Sequence, residues 1–414
     1  MKEGKKKTLI SKRVRERAMG LLQSPDFFSK LLEALGREGL VGEEGNALVV
    51  FVVSVSRLLS KPLNLFVKGL SSSGKNHTVK KVLRLIPKEC IEEITNTSEK
   101  AWNYMGKNLK HRIVFFQEES VAFGGKQHPA RLLISENRLE RTITVRKKGG
   151  GFETKKQITE GPVACISTTT KDQLQVDDET RHLSVWADES QEQTARIVRA
   201  QLADAKVLTD DEVCGWQAVQ QILEERSTIP IHLPLWFATI ADKVWTGDVR
   251  IRRYFPAFIE ACRTVCLIRS FLKDEGEPKS LQVRFKDYAI ATLIFQDAFA
   301  KSLNAADDKN MEVRECISRI SSKNNGRAVS AKDVARELGI PLHEAYERIR
   351  RAVSQKLVRR ANSPQRGNQK FYLPSEEGNF LPDPEEVFNE VAPDGKKVTF
   401  IHPLTVKLVN YEKK

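Results

Sequence analysis

The sequence has no apolar run long enough to cross a membrane. Such a span needs about 18–20 consecutive apolar residues, and the best stretch, Ala47 to Val53, is broken by Ser54 and Ser56. The six cysteines are scattered; only Cys262 and Cys266 lie close together, and no nearby histidine completes a zinc spacing. They predict reduced, mostly buried thiols of an intracellular protein. The amino-terminal stretch is lysine-rich with no apolar core behind it, so no signal peptide is expected. There is no internal repeat. Membrane-spanning, secreted and disulfide-stapled classes are excluded, and a cytoplasmic location is expected.

What is present is charge of one sign in excess. Across 414 residues, 40% of them hydrophobic, 68 Lys and Arg face 54 Asp and Glu, a net charge of +14. The length predicts two or three domains. The excess is concentrated: residues 1–17 carry +6, residues 141–158 carry +5 and residues 327–370 carry +7, leaving the remainder slightly acidic. A near-neutral body with basic segments suits a polyanion partner, because each Lys or Arg that meets a phosphate releases a counterion. For residues 1–17 a solvated tail explains the charge equally well.

Helices are expected over residues 18–62. "SPDFFSKLLEALGREGL" offers Ser24 as a cap, Pro25 in the first turn and a stop near Gly39, and "NALVVFVVSVSRLLS" is apolar on most faces, as a buried helix would be. Buried-strand patterns follow at "LNLFV", "RIVFFQEE", "GPVACISTTT" and "RHLSVWADES". "RTITVRKKGGGFETKKQIT" reads as a hairpin around Gly149–Gly151. Helical patterns dominate from about 190 to 305.

Between the first strand and the next helix lies Gly69-Leu-Ser71-Ser72-Ser73-Gly74-Lys75-Asn76, which fits G-x-x-x-x-G-K but carries Asn where Ser or Thr is usual; His77 follows. The glycines let backbone N–H groups close around phosphates, the helix start adds positive potential, and Lys75 reaches the outer phosphates, which predicts ATP binding. Glu118 and Glu119 end the second buried strand. There the first carboxylate would hold the Mg²⁺ shell, with Asn76 as a second oxygen donor, and the second would polarise the attacking water. Thr168 and Thr169 end a third strand, where a hydroxyl could hold that water; Thr169 is the chosen candidate. Arg181, on a loop, suits an arginine finger offered to a neighbour's nucleotide, and Arg252 and Arg253 could close onto the phosphates from a helical lid.

This order resembles that of the AAA+ ATPases. A hairpin just before the third-strand threonines resembles the clade of the minichromosome-maintenance-like helicases. More closely, "GLVGEEGN", "SRLLSKPLNLFVKGLSSSGK", "LLISENRL…TITV", "EGPVACISTTT", "DESQEQT" and "RIRRYFPAFI" resemble bacterial, mobile-element-borne helicase-like ATPases found beside or fused to DNA primases. The resemblance covers roughly residues 15–300. It implies a ring-forming, ATP-driven motor on DNA, with a primase or other replication protein as a possible partner and a nucleoid-associated location.

In such a ring the hairpin's Arg146, Lys147, Lys148, Lys155 and Lys156, with Phe152 beside them, could grip a single-stranded or forked DNA backbone without sequence preference. An edge hairpin blocked by lysines is the plainer reading. "VSAKDVARELGIPLHEAYERIRRAVSQKLVRRANSPQRGNQKFYLP" reads as helix, turn at Gly339, helix, strand, loop, strand, which resembles a winged helix. Arg348, Arg351 and Arg366 are among its candidate phosphate contacts, whereas Glu344 and Glu347 early on the second helix suit protein docking.

The expected fold is α/β: an AAA+ P-loop domain with a parallel sheet, flanking helices and an inserted β-hairpin, then a helical lid and a C-terminal winged helix. The expected boundaries are a basic arm 1–17, ATPase core 18–205, lid 206–308, winged helix 309–375 and tail 376–414. The expected function is an ATP-dependent DNA helicase or translocase, with the hexameric assembly that the resemblance implies. The alternative is an ATP-binding switch or helicase-loader-like adaptor with little hydrolysis.

Overall fold

Five buried or half-buried segments pair side by side to build the central sheet: β1 (Leu65–Lys68), β2 (Ile91–Ile94), β3 (Arg112–Phe116), β6 (Val163–Thr169) and β7 (Leu183–Trp186). The order is β2-β3-β6-β1-β7 and every neighbouring pair is parallel. The computed structural model describes residues 11–94, 108–118, 129–146, 152–172, 174–202, 207–246, 248–272, 278–304, 308–323, 326–354, 357–361, 370–374, 381–392, 395 and 397–413. Both faces of a parallel sheet are covered, so its inner strands read as continuous apolar runs. The edge strand β2 was not legible in the sequence for the complementary reason: its outer positions, including Glu92 and Glu93, are polar.

Strand alternation divides the apolar residues between two cores. Leu65, Val67, Ile113, Phe115 and Ile166 face one way, toward α2 (Phe27–Arg37), α3 (Glu44–Ser56) and α4 (Lys75–Arg84). Phe66, Val114, Phe116 and Cys165 face the other, toward α5 (Pro129–Glu136). As expected of a helix apolar all round, α3 is buried from Ala47 to Ser56; its Ser54 hydroxyl donates to Val50 O at 2.7 Å and its Ser56 hydroxyl to Val53 O at 2.6 Å. The expected cap of α2 is displaced. The helix starts at Phe27 with Asp26 at its N-cap, and Ser24 instead accepts the Phe27 N–H through its carbonyl.

The hairpin joins β4 (Arg138–Arg146) to β5 (Phe152–Glu160) in register from Arg138↔Glu160 to Arg146↔Phe152, with its tip outside the described residues. After β7 come α7 (Gln191–Ala200) and the helices α8 (Asp210–Arg226), α9 (Phe237–Lys243), α10 (Ile251–Arg269) and α11 (Phe285–Asn304), which share the larger core with α3. Between them β8 (Ile231–His232) pairs in parallel with β9 (Leu281–Gln282).

Two terminal segments behave differently from their sequence reading. Residues 12–22 form α1 (Lys12–Leu22), packed along α8, and its arginines are spent on that helix: Arg15–Glu225 at 2.8 Å, Arg17–Asp211 at 2.8 Å and Arg13–Asp211 at 3.3 Å. The segment after 375 is no loose tail in its described part. Its helix α15 (Pro384–Val391) and strands β13 (Lys397–Ile401) and β14 (Leu408–Glu412) return to α11, where Phe388 and Phe285 pack at 5.0 Å between ring centroids.

Residues 308–374 have a core of their own, around Val313, Ile317, Val334, Ile349 and Tyr372. The elements run α12 (Asp308–Lys323), β10 (Val329–Ser330), α13 (Ala331–Leu338), α14 (Leu342–Ser354), β11 (Val358–Arg360) and β12 (Phe371–Pro374), with the antiparallel order β10-β12-β11. Gly339 closes α13 in the left-handed region, φ +64°, which a turn this tight requires. No helix among the described residues is long and apolar enough to cross a membrane.

Candidate nucleotide-binding site

The carboxyl end of β1 runs directly into the loop Gly69–Gly74 and then into α4, so strand, loop and helix are contiguous. Two positions need the special backbone freedom of glycine. Gly69 has φ +146°, and a Cβ there would meet the Ser73 hydroxyl at 2.8 Å and Glu189 Oε1 at 2.9 Å. Gly74 has φ +87° and is the N-cap of α4, with no side chain capping the helix. The first N–H groups of α4 are therefore left to an external acceptor, the arrangement that receives a phosphate.

Lys75 is buried, and its ammonium donates to Gly69 O at 2.6 Å and to Leu70 O, with the Ser73 hydroxyl at 3.4 Å. Burial lowers its pKa, while the Glu189 and Glu118 carboxylates nearby oppose that shift. Ser71, Ser72 and Asn76 are exposed, and Ser73 is half-buried. His77 turns aside, its Nε2 lying 3.4 Å from Gly39 O at the end of α2.

The two threonines separate cleanly. Thr168 shares the α4 side of the sheet with Ile166; its Oγ1 lies 2.9 Å from Asn76 Oδ1 and 2.5 Å from Gln117 O. Thr169 points to the opposite face and accepts the Lys171 N–H at 3.0 Å. The structure thus brings Thr168, not the chosen Thr169, to the loop helix, because side chains alternate along a strand. Thr168 has one proton for two acceptors, so an Asn76 amide turned to donate to it satisfies both contacts and frees Asn76 Oδ1 as a ligand. Glu118 is exposed just past β3, and Glu119 lies outside the described residues.

Glu189, a residue not singled out in the sequence, belongs to this site: its carboxylate accepts the Leu70 N–H. The signal was available only through the fold. β7 is the neighbour of β1, so the acidic turn after β7 lands beside the loop. "GLVGEEGN" and "DESQEQT", some 150 residues apart, also interlock here. Gln193 donates to Val41 O at 2.6 Å, the Asp188 N–H to Glu43 at 2.8 Å, and Asn46 to Trp186 O at 2.8 Å.

The arginines are elsewhere. Arg181, Arg252 and Arg253 line a cavity of about 310 Å³ together with Asn64, Ser135 and Glu260. Asn64 precedes β1 and Leu183 begins β7, so this cavity is at the amino-terminal edge of the sheet, whereas the loop is at the carboxyl-terminal edge. The length of β1, about 13 Å at ~3.3 Å per residue, stands between them. Arg181 donates to Ser135 Oγ at 3.0 Å and to Asp177 O, and Arg253 donates to the Thr180 hydroxyl. Closure of Arg253 onto the phosphates of its own loop is not the arrangement found.

Of the DNA-contact candidates, Lys156 pairs with Glu140 at 2.9 Å. The backbones of Arg146 and Lys155 lie in β4 and β5, and Lys147, Lys148 and Arg366 lie outside the described residues. Arg351 is exposed, 4.0 Å from Glu347. Arg348 is taken up internally by Glu312 at 2.8 Å and Glu344 at 2.7 Å and is not free for phosphate.

Residues 12–213, just under half of the chain, match the family described as MTBMA_p00010 P-loop domain. The chain carries a P-loop domain. The match supports nucleotide binding, for which the loop Gly69–Gly74 and the uncapped start of α4 are the candidate site. No curated protein matches the chain. Among solved structures, a Cytophaga hutchinsonii protein provisionally described as an ATPase is 10% identical, with TM-score 0.37, over 68% of this chain and 88% of that one. The active helicase Cch of SCCmec type IV is 12% identical, with TM-score 0.34, over 80% and 67%. NtrX from Brucella abortus in complex with ATP is 13% identical, with TM-score 0.26, over 78% and 72%. Likenesses this remote bear on no residue of the P-loop domain.

Proposed function

We propose that the chain is an ATP-driven DNA helicase or translocase of the AAA+ type, assembled as a hexameric ring and acting in the replication of a mobile genetic element. The observation that carries this reading is the cavity holding Arg181, Arg252 and Arg253 at the sheet edge away from the phosphate loop. Arginines that cannot reach their own subunit's nucleotide suit a neighbour's, where they would stabilise the charge developing on the transferred phosphoryl group.

The sheet order supports the same reading. β6 lies between β1 and β3, so Thr168 stands between the phosphate loop and the acidic end of β3. Asn76 and Glu118 supply hard oxygen donors there, which fits Mg²⁺, an ion that keeps several waters and needs few protein ligands. Bound with ATP, it would neutralise phosphate charge; Lys75 and the loop N–H groups orient the triphosphate, and Thr168 and Glu119 the water. The β4–β5 hairpin would present its basic tip to single-stranded or forked DNA in the ring channel. Helices α8–α11 would serve as the lid, and residues 308–374, with the helix and strand order of a winged helix, as a second DNA contact. A primase is a candidate partner, and the nucleoid a candidate location.

A nucleotide-gated switch or loader-like adaptor is the second reading, favoured by Asn76 in place of the usual hydroxyl and by the Glu189 carboxylate held on the Leu70 N–H of the loop. ATP turnover with and without single-stranded DNA, beside a Glu119→Gln variant, separates the two. The motor reading expects DNA-stimulated turnover that Glu119→Gln abolishes, and rings in negative stain with ATP and DNA. Tight ATP binding with no DNA-stimulated turnover would overturn it.

A further inference from the structure

The carboxyl-terminal unit holds a second cavity, unrelated to the phosphate loop. It measures about 320 Å³ and is lined by Tyr346, Arg350, Val353, Arg360, Lys370 and Tyr372. Tyr346, Arg350 and Val353 are spaced i, i+4, i+7 on α14 and so share one helix face. Arg360 and Tyr372 are direct partners in the β11–β12 ladder, on one face of that sheet. Helix and sheet therefore present two tyrosines and three cations to a common cleft.

The charge in it is uncompensated by any lining residue, since none is acidic. The carboxylates of α14 are engaged with arginines outside the lining: Glu344 with Arg348 at 2.7 Å, and Glu347 with Arg351 at 4.0 Å. Tyr372 is buried as the floor of the cleft, while Tyr346 is 43% exposed at its side. An aromatic ring left this open adds little to the core and much to a binding surface.

We propose that this cleft takes one unstacked nucleotide of single-stranded DNA, its base against the Tyr346 ring and its flanking phosphates on Arg350, Arg360 and Lys370. The proposal rests on the DNA reading above and deepens it. A cleft of this volume admits a flat ring and its sugar, not a duplex. Bases inside a duplex also have their faces covered by their neighbours, so only an unpaired, unstacked base can offer one to a tyrosine. Cations beside an aromatic platform, without hydrogen-bonding amides, favour binding that is tolerant of sequence.

The test is fluorescence anisotropy on the full chain, with a labelled oligo-dT and a blunt duplex of equal length, over a range of salt. Tyr346→Ala is expected to weaken oligo-dT binding about tenfold with an unchanged salt slope, because the ring carries no charge. Tyr346→Phe should stay within about twofold of wild type, since it keeps the stacking face. Arg350→Ala should weaken binding and reduce the salt slope by about one. Duplex affinity should not move with Tyr346. Oligo-dT binding that survives Tyr346→Ala but falls in Lys147→Ala/Lys148→Ala would overturn the cleft and leave the DNA reading standing. Equal losses on duplex and single strand would mark ordinary duplex docking and also overturn it. A wild-type chain that bound neither would overturn both.

Discussion

Which threonine reaches the loop helix is decided by the alternation of side chains along a strand. Thr168 and Thr169 are neighbours in sequence, yet one reaches Asn76 and Gln117 and the other a loop amide on the far face. Thr168→Val should therefore lower ATP turnover at least tenfold, while Thr169→Val changes it by less than about twofold; steady-state ATPase assays of the two variants check this. Asn76→Ser, which restores the usual hydroxyl, should preserve or raise turnover. His182 poses a different question, that of charge in a sealed site. It is buried against Phe66, with ring centroids 4.0 Å apart, and its Nδ1–H donates to Asp178 O at 2.8 Å. Burial pushes its pKa down to about 4, with Asp178 opposing and Arg181 and Lys68 reinforcing the shift. The unfolded chain binds this proton below about pH 6.5 and the folded chain only near 4, so stability falls as pH drops through that window. The loss should reach at most about 3 kcal/mol. Urea midpoints between pH 7 and 4 should accordingly fall less steeply in His182→Phe than in wild type.

At the scale of elements, the short helix α6 (Val176–Glu179) ties the phosphate loop to the arginine cavity. Lys68, the last residue of β1 before Gly69, is fully buried, donating to Glu179 and, at 2.8 Å, to Asp172 O. Glu179 also accepts the Leu174 N–H at 3.0 Å, and Tyr254 of α10 donates to its carbonyl at 3.3 Å. Asp178 holds Arg131 of α5, and Asp177 and Thr180 receive Arg181 and Arg253. Removing one partner of a buried ion pair strands the other charge, so Glu179→Ala should cost about 3–5 kcal/mol. Lys68→Met/Glu179→Leu should cost clearly less. Chemical denaturation of the three proteins measures the difference, and equal losses in the single and double variants would argue against the pair as the cause.

The whole molecule turns on whether its two sheet edges serve one active site or two. The phosphate loop is at one edge and Arg181 with Arg253 at the other, so in the proposed ring each site is completed by the adjacent subunit. Arg181→Ala subunits should then bind ATP normally but depress turnover when mixed with wild type, by more than simple dilution. Turnover titrated against the mutant fraction reads this directly; a strictly linear decline would mean that each subunit works alone. The amino-terminal charge belongs to this scale too. Arg13, Arg15 and Arg17 pair at the surface with carboxylates of α8, so part of the amino-terminal positive charge is offset within the fold.

Local pattern alone determined a good part of this protein: the buried helix α3, four of the five parallel strands, the hairpin, and the glycine-bearing loop ending in Lys75. These features are legible because apolar periodicity and the conformational demands of Gly69 and Gly74 are properties of short segments. The edge strand β2 was hidden because half its surface is solvated and its glutamates break the apolar run. Strand order, and with it the arrival of Glu189 at the loop, the choice of Thr168, and the separation of Arg253 from the phosphates, was decided only by the tertiary structure. Each depends on which segments lie side by side and which face a side chain takes, and those are set by long-range burial that no short stretch of sequence contains.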